Sequence, residues 1–405
     1  MNSKWNWLTA SVGIGALGYF VDIYDLVLFS IVRTQSLRDL GVIESQILDV
    51  GVFLLNCQMA GLVLGGLVWG ILGDKRGRIS VLFGSILIYS LANLLNGFVI
   101  DTNQYAILRF IAGFGLAGEL GAAITLVAES LPKEYRGYGT TAVASFGILG
   151  GVSASVLGNF VSWKALYIIG GVGGLLLLCL RWRLNESHLY TEMKSSSIDS
   201  GNLKLLFSSV ERSRKFLCSV LIGVPIYFVV GILITFAPEL GQSQHAMEPI
   251  NAGNTIFYYY LGLALGDGVS GILSQWFKSR RKVVFLYLLG LFVSVVIALS
   301  SSNYHAVHFY RFAFVLGFAS GYWALCVTIA AEQFGTNLRA TVATSVPNLV
   351  RGSLILLTLS FKTMKGSMGL VGSLWCVAGV TFAMALIALL GVRETFFTNM
   401  DFVEE

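Results

Sequence analysis

Two aspartates, Asp22 and Asp25, lie near the middle of the first long apolar run of the chain, GYFVDIYDLVLFS at residues 18–30. Because they are three residues apart, their side chains share one face of a helix. A charged aspartate at the centre of a bilayer costs about 2.5–3.5 kcal/mol, so we expect both to face a water-filled cavity. A carboxylate pair of this kind is suited to proton coupling. The alternative is that one of them is a structural partner for Arg33 or for another cation.

Arg351 is the main polar feature of the second half of the chain. It lies in TSVPNLVRGSLILL, too deep in the run to reach the membrane surface easily, and Pro347 one turn earlier is expected to bend the helix. A guanidinium stays charged and binds a carboxylate through two parallel hydrogen bonds, so Arg351 is predicted to bind an anionic substrate. The alternative is an ion pair with Asp267, which would otherwise be a second coupling site. The two roles of Arg351 can coexist if substrate competes for it.

Glu119 and Arg109 lie in the fourth apolar run. Gly118 and Gly121 beside Glu119 would let another helix approach closely. Glu119 is predicted to be a second proton or substrate ligand, the alternatives being a buried partner for Arg109 and a polar link between helices. Arg109 is predicted to adjust the proton affinity of the coupling acid. Its alternative is a side chain that extends to the membrane surface.

Polar and aromatic residues of other apolar runs are candidates for the lining of a substrate cavity, although packing within a bundle is the alternative for each aromatic one. They are Tyr24, Tyr227, Asn254, Tyr258, Tyr322, Trp323 and Asn348. The sequence contains no metal-ligand spacing, nucleotide-binding loop or nucleophile constellation. We therefore expect no metal site, no cofactor and no enzymatic activity.

The composition is that of a membrane protein. Of the 405 residues, 55% are hydrophobic and 12% are charged, whereas about a quarter of the residues of a soluble domain are charged. The apolar runs are continuous and about 20 residues long, the length at which a helix crosses a lipid bilayer. An all-α membrane protein is therefore predicted. Its net charge of +5 is spread over short loops, so no nucleic-acid partner is expected.

Division of the apolar runs at polar residues predicts twelve transmembrane helices. They lie near residues 7–33, 49–72, 79–99, 104–130, 138–161, 164–184, 213–238, 251–276, 283–301, 304–332, 338–361 and 367–392. The longest hydrophilic stretch separates the sixth from the seventh. We therefore expect an N-terminal six-helix bundle (1–184), a cytoplasmic linker (185–212) and a C-terminal six-helix bundle (213–405).

Most lysines and arginines fall in the loops on one side of these spans. By the positive-inside rule, both termini are predicted to be cytoplasmic. The expected location is the plasma membrane, which in a bacterium is the inner membrane.

The two halves repeat one another. WGILGDKRGR (69–78) is similar to SGILSQWFKSRR (270–281), and AESLPKEYRG (128–137) is similar to AEQFGTNLRA (331–340). The offset between matching segments is nearly constant. Such a repeat predicts two pseudo-symmetric bundles that face each other across a central path.

The loop GILGDKRGR (70–78), together with Arg109 and the spaced glycines that follow it, resembles the signature of the major facilitator superfamily. The run from Asp22 to Leu26 resembles the first span of its metabolite:proton symporters, a match that points to Asp25 before Asp22. The Gly-Pro pair of the antiporters is absent from the fifth span. The resemblance implies proton-coupled import of a small, often carboxylate-bearing metabolite by alternating access.

The resemblance also implies a gate at the cytoplasmic ends of the spans. Asp74 can neutralise a helix N-terminus or pair with arginines where the bundles meet, and Gly77 is expected in a tight turn. Loss of such ion pairs would favour an inward-open state. The predicted gate consists of Gly70, Asp74, Gly77, Arg78, Glu129, Arg136, Glu332 and Arg339.

Two other functions remain open. An exporter (antiporter) of a metabolite, drug or carboxylate siderophore could use the same fold, because intramembrane acids also serve antiport. A membrane sensor, channel or enzyme is the third class. The expected partners are a small anionic substrate, protons and the lipid bilayer, and we expect a monomer.

Overall fold

The computed structural model describes residues 2–131, 133–181, 201, 203–398 and 402–404, and all regular structure within them is helical. Most of the predicted linker and the side chain of Arg136 lie outside this description. A π-helical turn (Val229–Ile234) follows the ninth helix. The helices are α1 (Asn2–Asp39), α2 (Ile47–Arg76), α3 (Arg78–Asn96), α4 (Thr102–Leu116), α5 (Glu119–Ser130), α6 (Lys133–Leu157), α7 (Trp163–Leu180), α8 (Leu203–Phe207), α9 (Val210–Phe228), α10 (Ala237–Ser243), α11 (Ala252–Trp276), α12 (Arg280–Ser300), α13 (Ala306–Ala319), α14 (Trp323–Glu332) and α15 (Arg339–Gly391).

The described chain contains eleven helical segments that are long and apolar enough to cross a membrane. The last of them, α15, has 53 residues. At 1.5 Å per residue it would be about 80 Å long, far more than the roughly 30 Å of a bilayer core. Gly369 interrupts it with φ +71° and ψ 177°, a conformation that glycine adopts without strain. The segment α15 therefore comprises two spans, and the prediction of twelve is confirmed.

The fourth span of each half is interrupted at the same place, as the repeat predicts. In the first half α4 ends at Leu116 and α5 begins at Glu119; in the second, α13 ends at Ala319 and α14 begins at Trp323. The first N–H groups of α5 and α14 have no partner within their own helix. Each interruption therefore places unpaired backbone N–H groups at the middle of a bundle. A candidate side chain lies there as well, Glu119 in the first half and Trp323 in the second.

The two halves meet along two helix pairs, α2 with α15 and α6 with α11. Small residues allow the backbones to approach closely there. A methyl group on Gly70 of α2 would lie 2.9 Å from the Cα atom of Thr341. Any larger residue at position 70 would therefore push the halves apart.

Candidate functional site

A charged pair connects the two halves near the middle of the bundle. Nη2 of Arg351, on α15, lies 3.9 Å from Oδ2 of Asp22, on α1, and both side chains are almost completely buried. The charges attract at this distance, but it is too long for a hydrogen bond. Neither oxygen of Asp22 nor Nη2 of Arg351 has a hydrogen-bond partner among the described residues. Buried polar groups are normally satisfied, so these atoms are candidates for contact with a ligand or a proton.

The rest of the Arg351 guanidinium is held in place. Its Nε donates to the Tyr227 hydroxyl (3.0 Å) and its Nη1 donates to Oδ1 of Asn348 (3.3 Å). The group also lies over the ring of Trp323, 5.7 Å from its centroid. Asn348 in turn donates from Nδ2 to the carbonyl of Ala117, in the break of the fourth span (2.7 Å). These contacts fix the guanidinium plane and leave Nη2 directed at Asp22.

A small cavity lies next to the residues that hold Arg351, because Tyr227 and Trp323 are part of its lining. Its volume is about 20 Å³, roughly the space of one water molecule. Trp323 donates from Nε1 to the hydroxyl of Tyr19 (2.9 Å) and so joins the two halves at the cavity wall. The lining is aromatic and aliphatic: Tyr19, Ile23, Ile148, Ile226, Tyr227, Val230, Tyr259, Tyr260, Leu263 and Trp323.

Two of the predicted lining residues pack inside one half instead. The Tyr24 hydroxyl donates to the carbonyl of Leu166 (3.2 Å), and the Tyr322 hydroxyl donates to the carbonyl of Ile222 (3.1 Å). Both side chains are buried and neither reaches the cavity. For Tyr24 and Tyr322 the alternative prediction, packing within a bundle, describes their contacts.

Asn254 and Tyr258 are also absent from the cavity. Both are exposed, and Tyr258 stacks on Tyr310 with the ring centroids 5.7 Å apart. The next residues of α11, Tyr259 and Tyr260, face the cavity instead. Each helical residue is rotated by about 100° from the last, so the neighbour of a surface residue can face inward.

Asp25 lies inside the N-terminal half rather than at the junction. It is fully buried, and its carboxylate rests against Gly170 of α7, where any side chain would overlap Oδ1. Neither oxygen has a hydrogen-bond partner among the described residues. The three-residue spacing turns Asp25 by about 60° from Asp22, enough to face α7 instead of α15. The cross-half position therefore belongs to Asp22 and not to Asp25.

Glu119 forms an ion pair with Arg181, which directly follows α7. Arg181 donates from Nη1 to Oε2 of Glu119 (2.8 Å) and from Nη2 to Oε1. Both side chains are fully buried, and Gly18 of α1 leaves the space that the pair occupies. The alternative that paired Glu119 with Arg109 is therefore wrong. Arg181 belongs to no motif and directly follows a helix, so its sequence position resembles that of an ordinary loop charge.

Arg109 is fully buried and does not extend to the membrane surface. It donates to Oε1 of Gln58 and to the Tyr167 hydroxyl (3.4 Å), and it lies over the ring of Phe29 at 5.0 Å. It is close enough to act electrostatically on Asp25. This position is compatible with the predicted influence of Arg109 on a coupling acid.

Asp267 is not the partner of Arg351. Its Oδ1 accepts the N–H of Ala324 (3.0 Å) in the first turn of α14, and its side chain is fully buried. A carboxylate is favourable there because unpaired N–H groups and the helix dipole both favour negative charge. Asp267 therefore stabilises the break in span ten, and the ion-pair alternative is wrong.

The bundle has a basic end, which contains Arg78, Arg280 and Arg339, and an opposite end, which contains Arg33 and Glu239. At the basic end, Asp74 of α2 binds the N-terminus of α15 in the other half. Its carboxylate accepts the N–H of Ala340 (3.1 Å) and both the N–H (2.8 Å) and the hydroxyl (2.7 Å) of Thr341. Gly77 follows with φ +97°, the turn conformation predicted for it.

A buried ion network adjoins Asp74. Glu129 accepts from Nη2 of Arg78 at 2.8 Å and from Nη1 of Arg339 at 3.3 Å, so it joins the two halves. Glu332, its counterpart in the repeat, pairs with Arg280 of its own half at 3.2 Å. Among the described residues Glu332 therefore makes no ion pair between the halves. The gate role predicted for Glu332 would require such a pair.

The opposite end is closed as well. Arg33 donates to Oε1 of Glu239 across the halves (2.7 Å) and lies over the ring of Phe236 at 4.7 Å. The π-helical turn immediately precedes this contact, and π-turns occur frequently at functional sites. Arg33 therefore does not pair with Asp22 or Asp25. With both ends closed around a small cavity, the structure is an occluded state.

Comparison with known proteins points to one family. The family model described as Major Facilitator Superfamily matches residues 15–358. The benzoate transport protein of Acinetobacter baylyi is 25% identical over 79% of this chain and 75% of that protein. The sialic acid transporter NanX of Escherichia coli is 25% identical over 93% of this chain and 91% of that protein. These relatives are transporters, in agreement with the expectation that the chain is not an enzyme.

The fold has a close solved counterpart. The structure of the proton:xylose symporter XylE bound to 6-bromo-6-deoxy-D-glucose superimposes with a TM-score of 0.74 at 14% sequence identity. The match covers 99% of this chain and 98% of that chain. The predicted all-α membrane fold of two six-helix bundles is thereby confirmed.

Proposed function

The chain belongs to the major facilitator superfamily, and from that premise we propose that it is a symporter that imports a small organic anion together with protons. The observation that carries the proposal is the buried junction of Arg351 and Asp22, where a cation and a carboxylate face each other without a hydrogen bond. In the proposed orientation the basic end and both termini are cytoplasmic, and the membrane is a bacterial inner membrane.

Binding and proton uptake are linked at this junction. A substrate carboxylate binds Nη2 of Arg351 and takes the place of Asp22 as its counter-ion. Asp22 is then a buried carboxylate without a counter-ion, which is unfavourable in a low-dielectric site unless it takes up a proton. The exchange keeps the buried charge constant. Asp25, one turn away in α1, provides a second proton site behind the junction.

The cavity wall favours a planar acid. Tyr227 and Trp323 flank the guanidinium, and their ring centroids are 5.7 Å apart. Tyr19, Tyr259 and Tyr260 complete an aromatic wall that would stack on a flat ring. Two relatives are named for carboxylates, benzoate and sialic acid, and this wall suits the first kind better. The substrate class we propose is therefore a small aromatic carboxylate.

Proteoliposomes provide the direct test. Benzoate added outside should make the external medium more alkaline as protons enter with it, while neutral xylose should not change the pH. Asp22→Asn should abolish uphill accumulation and leave counterflow intact. Acidification of the external medium would support an exporter that exchanges substrate for protons, and no movement of either species would exclude transport of this class.

The Arg351 contact is tested by binding. Arg351→Lys removes the unpaired Nη2 donor. A hydrogen bond to a charged group is worth about 1.5–3 kcal/mol, so benzoate affinity should fall roughly 10- to 150-fold. Arg311→Lys, an exposed residue at the repeat position of Arg109, is the matched control and should leave affinity unchanged. Equal affinity in both variants would make Arg351 a structural residue.

A further inference from the structure

A second cavity lies on the outside of the bundle at the basic end, between the start of α12 and the end of α15. Its volume is about 1060 Å³, and it is separate from the central cavity. We call it the α12–α15 groove. It is lined by Phe277, Lys278, Ser279, Arg281, Lys282, Phe285, Leu286, Leu386, Leu389, Leu390 and Glu394.

The floor of the groove is apolar and open to the surroundings of the protein. Phe285, Leu286 and Leu390 are between 47% and 75% exposed. They belong to membrane-spanning helices, so lipid chains are their normal surroundings. Trp276, beside the groove, is 76% exposed and stacks on Phe277 with the centroids 5.5 Å apart. Exposed tryptophans are enriched at the membrane–water interface, which places the mouth of the groove at the level of lipid headgroups.

The mouth of the groove is positively charged. The side chains of Lys278, Arg281 and Lys282 form no ion pair among the described residues. The acid of the lining, Glu394, is already engaged: it accepts from the hydroxyl of Ser279 and from the N–H groups of Arg280 (2.9 Å) and Arg281 (3.3 Å). Burial acts to raise the pKa of Glu394, but the Ser279 and backbone hydrogen bonds outweigh it and lower that pKa. Three cations thus face one ionised carboxylate that is bound to a helix N-terminus.

Lys278 adopts an uncommon backbone conformation. Its φ is +49°, in the left-handed region that residues with a side chain seldom adopt. In the corresponding loop of the first half, the residue with positive φ is Gly77. The positive φ closes the end of α11, where the N–H of Ser279 donates to the carbonyl of Ser274 (3.2 Å). It leaves Lys278 in the lining of the groove.

We propose that the α12–α15 groove binds an anionic phospholipid, with the phosphate at Lys278, Arg281 and Lys282 and an acyl chain along Phe277 and Phe285. Charge complementarity selects this occupant, because basic pockets at the cytoplasmic ends of transmembrane helices attract anionic headgroups. The site rests on the proposed membrane orientation. It is independent of which substrate is carried or in which direction.

The test measures lipid selectivity of the full-length protein in nanodiscs that contain equal amounts of phosphatidylglycerol and phosphatidylcholine. Brominated phosphatidylglycerol should quench fluorescence from Trp276 more than brominated phosphatidylcholine does, and Trp276→Phe should remove the difference. Native mass spectrometry should show preferential retention of phosphatidylglycerol. Equal quenching and equal retention would overturn the proposal, as would a second copy of the chain cross-linked over the groove.

Charge variants locate the site. Each lost cation should lower the selectivity for phosphatidylglycerol roughly fivefold. The first variant combines Lys278→Gly, Arg281→Gln and Lys282→Gln; its control at the same end combines Arg76→Gln, Lys204→Gln and Arg214→Gln. The control should retain the wild-type selectivity, and a fall of equal size in both would overturn the assignment to this groove.

Lys278→Gly alone separates binding from folding. It relieves the strained φ, so thermal stability in detergent without added lipid should stay the same or rise, while lipid selectivity falls. Unchanged selectivity for phosphatidylglycerol would show that Lys278 is not part of the lipid site. Because none of these measurements involves transport, failure of the lipid site and failure of the proposed function are distinguishable.

Discussion

The substitution Asp74→Asn tests the closure of the basic end. The Asp74 carboxylate accepts three hydrogen bonds from Ala340 and Thr341, at 3.1, 2.8 and 2.7 Å, all across the interface between the halves. It also lies 3.6 Å from Arg78. Because these contacts cross the interface, separation of the halves at the basic end would break them. The variant should therefore shift the equilibrium toward the state that is open at this end.

The size of the shift follows from the contacts. A hydrogen bond to a charged group contributes about 1.5–3 kcal/mol net of water. Asparagine retains one acceptor oxygen but loses the charge, and its amide group would face backbone donors. We expect a loss of about 2–3 kcal/mol from the closed state, which corresponds to a roughly 30- to 150-fold change in the closed-to-open ratio.

Electron–electron resonance distances can measure this change. Spin labels at the exposed positions Arg76 and Arg393, one in each half, should report a longer distance in Asp74→Asn when the native cysteines are replaced. The matched control is Asp49→Asn, which also removes a cross-half carboxylate, paired with Lys362 at 2.8 Å but more than half exposed. Exposed pairs contribute about 0–1 kcal/mol, so the control should resemble wild type. An unchanged distance distribution in Asp74→Asn would refute the assignment of Asp74 to the gate.

Two further variants test the opposite end and the interior. Glu239→Gln removes the charged partner of Arg33, which is 1% exposed, and should speed amide hydrogen exchange at the opposite end; unchanged exchange would show that this pair does not hold that end closed. Gly18→Ala places a methyl group against the guanidinium of Arg181 and should lower the stability, measured by thermal unfolding, by about 1–3 kcal/mol. The control is Gly13→Ala on the same helix. A methyl group there would meet no atom within 4 Å and should be neutral. Equal stability of the two alanine variants would contradict the packing described around Gly18.

The spans and the backbone of the gate are predictable because they depend on local pattern. The length of an apolar run predicts a membrane-spanning helix, and the turn chemistry at Gly77 matches its φ of +97°. Asp74 was found through the pattern of its loop, and its contact with the start of α15 follows from the charge preference of helix N-termini. For the spans and the Gly77 turn the signal lies within the segment itself. The partner of Asp74 lies 266 residues away, but the preference of a carboxylate for a helix N-terminus is general.

The pairing of buried charges is not predictable in the same way. Arg181 and Glu119 are 62 residues apart in the chain, and Arg33 and Glu239 are 206 apart. Their contact depends on how helices are rotated and on which helices become neighbours. A rotation of one residue also decides that Tyr259 faces the cavity while Tyr258 faces outward.

Proton uptake on substrate binding tests the central claim most directly. Purified protein in a weakly buffered solution is titrated with benzoate while the pH and the bound ligand are recorded. If an anion displaces Asp22 from Arg351, wild type should take up about one proton for each benzoate bound, and Asp22→Asn should bind benzoate with one proton fewer. Binding to wild type without proton uptake, or the same uptake by Asp22→Asn, would contradict the exchange at this junction.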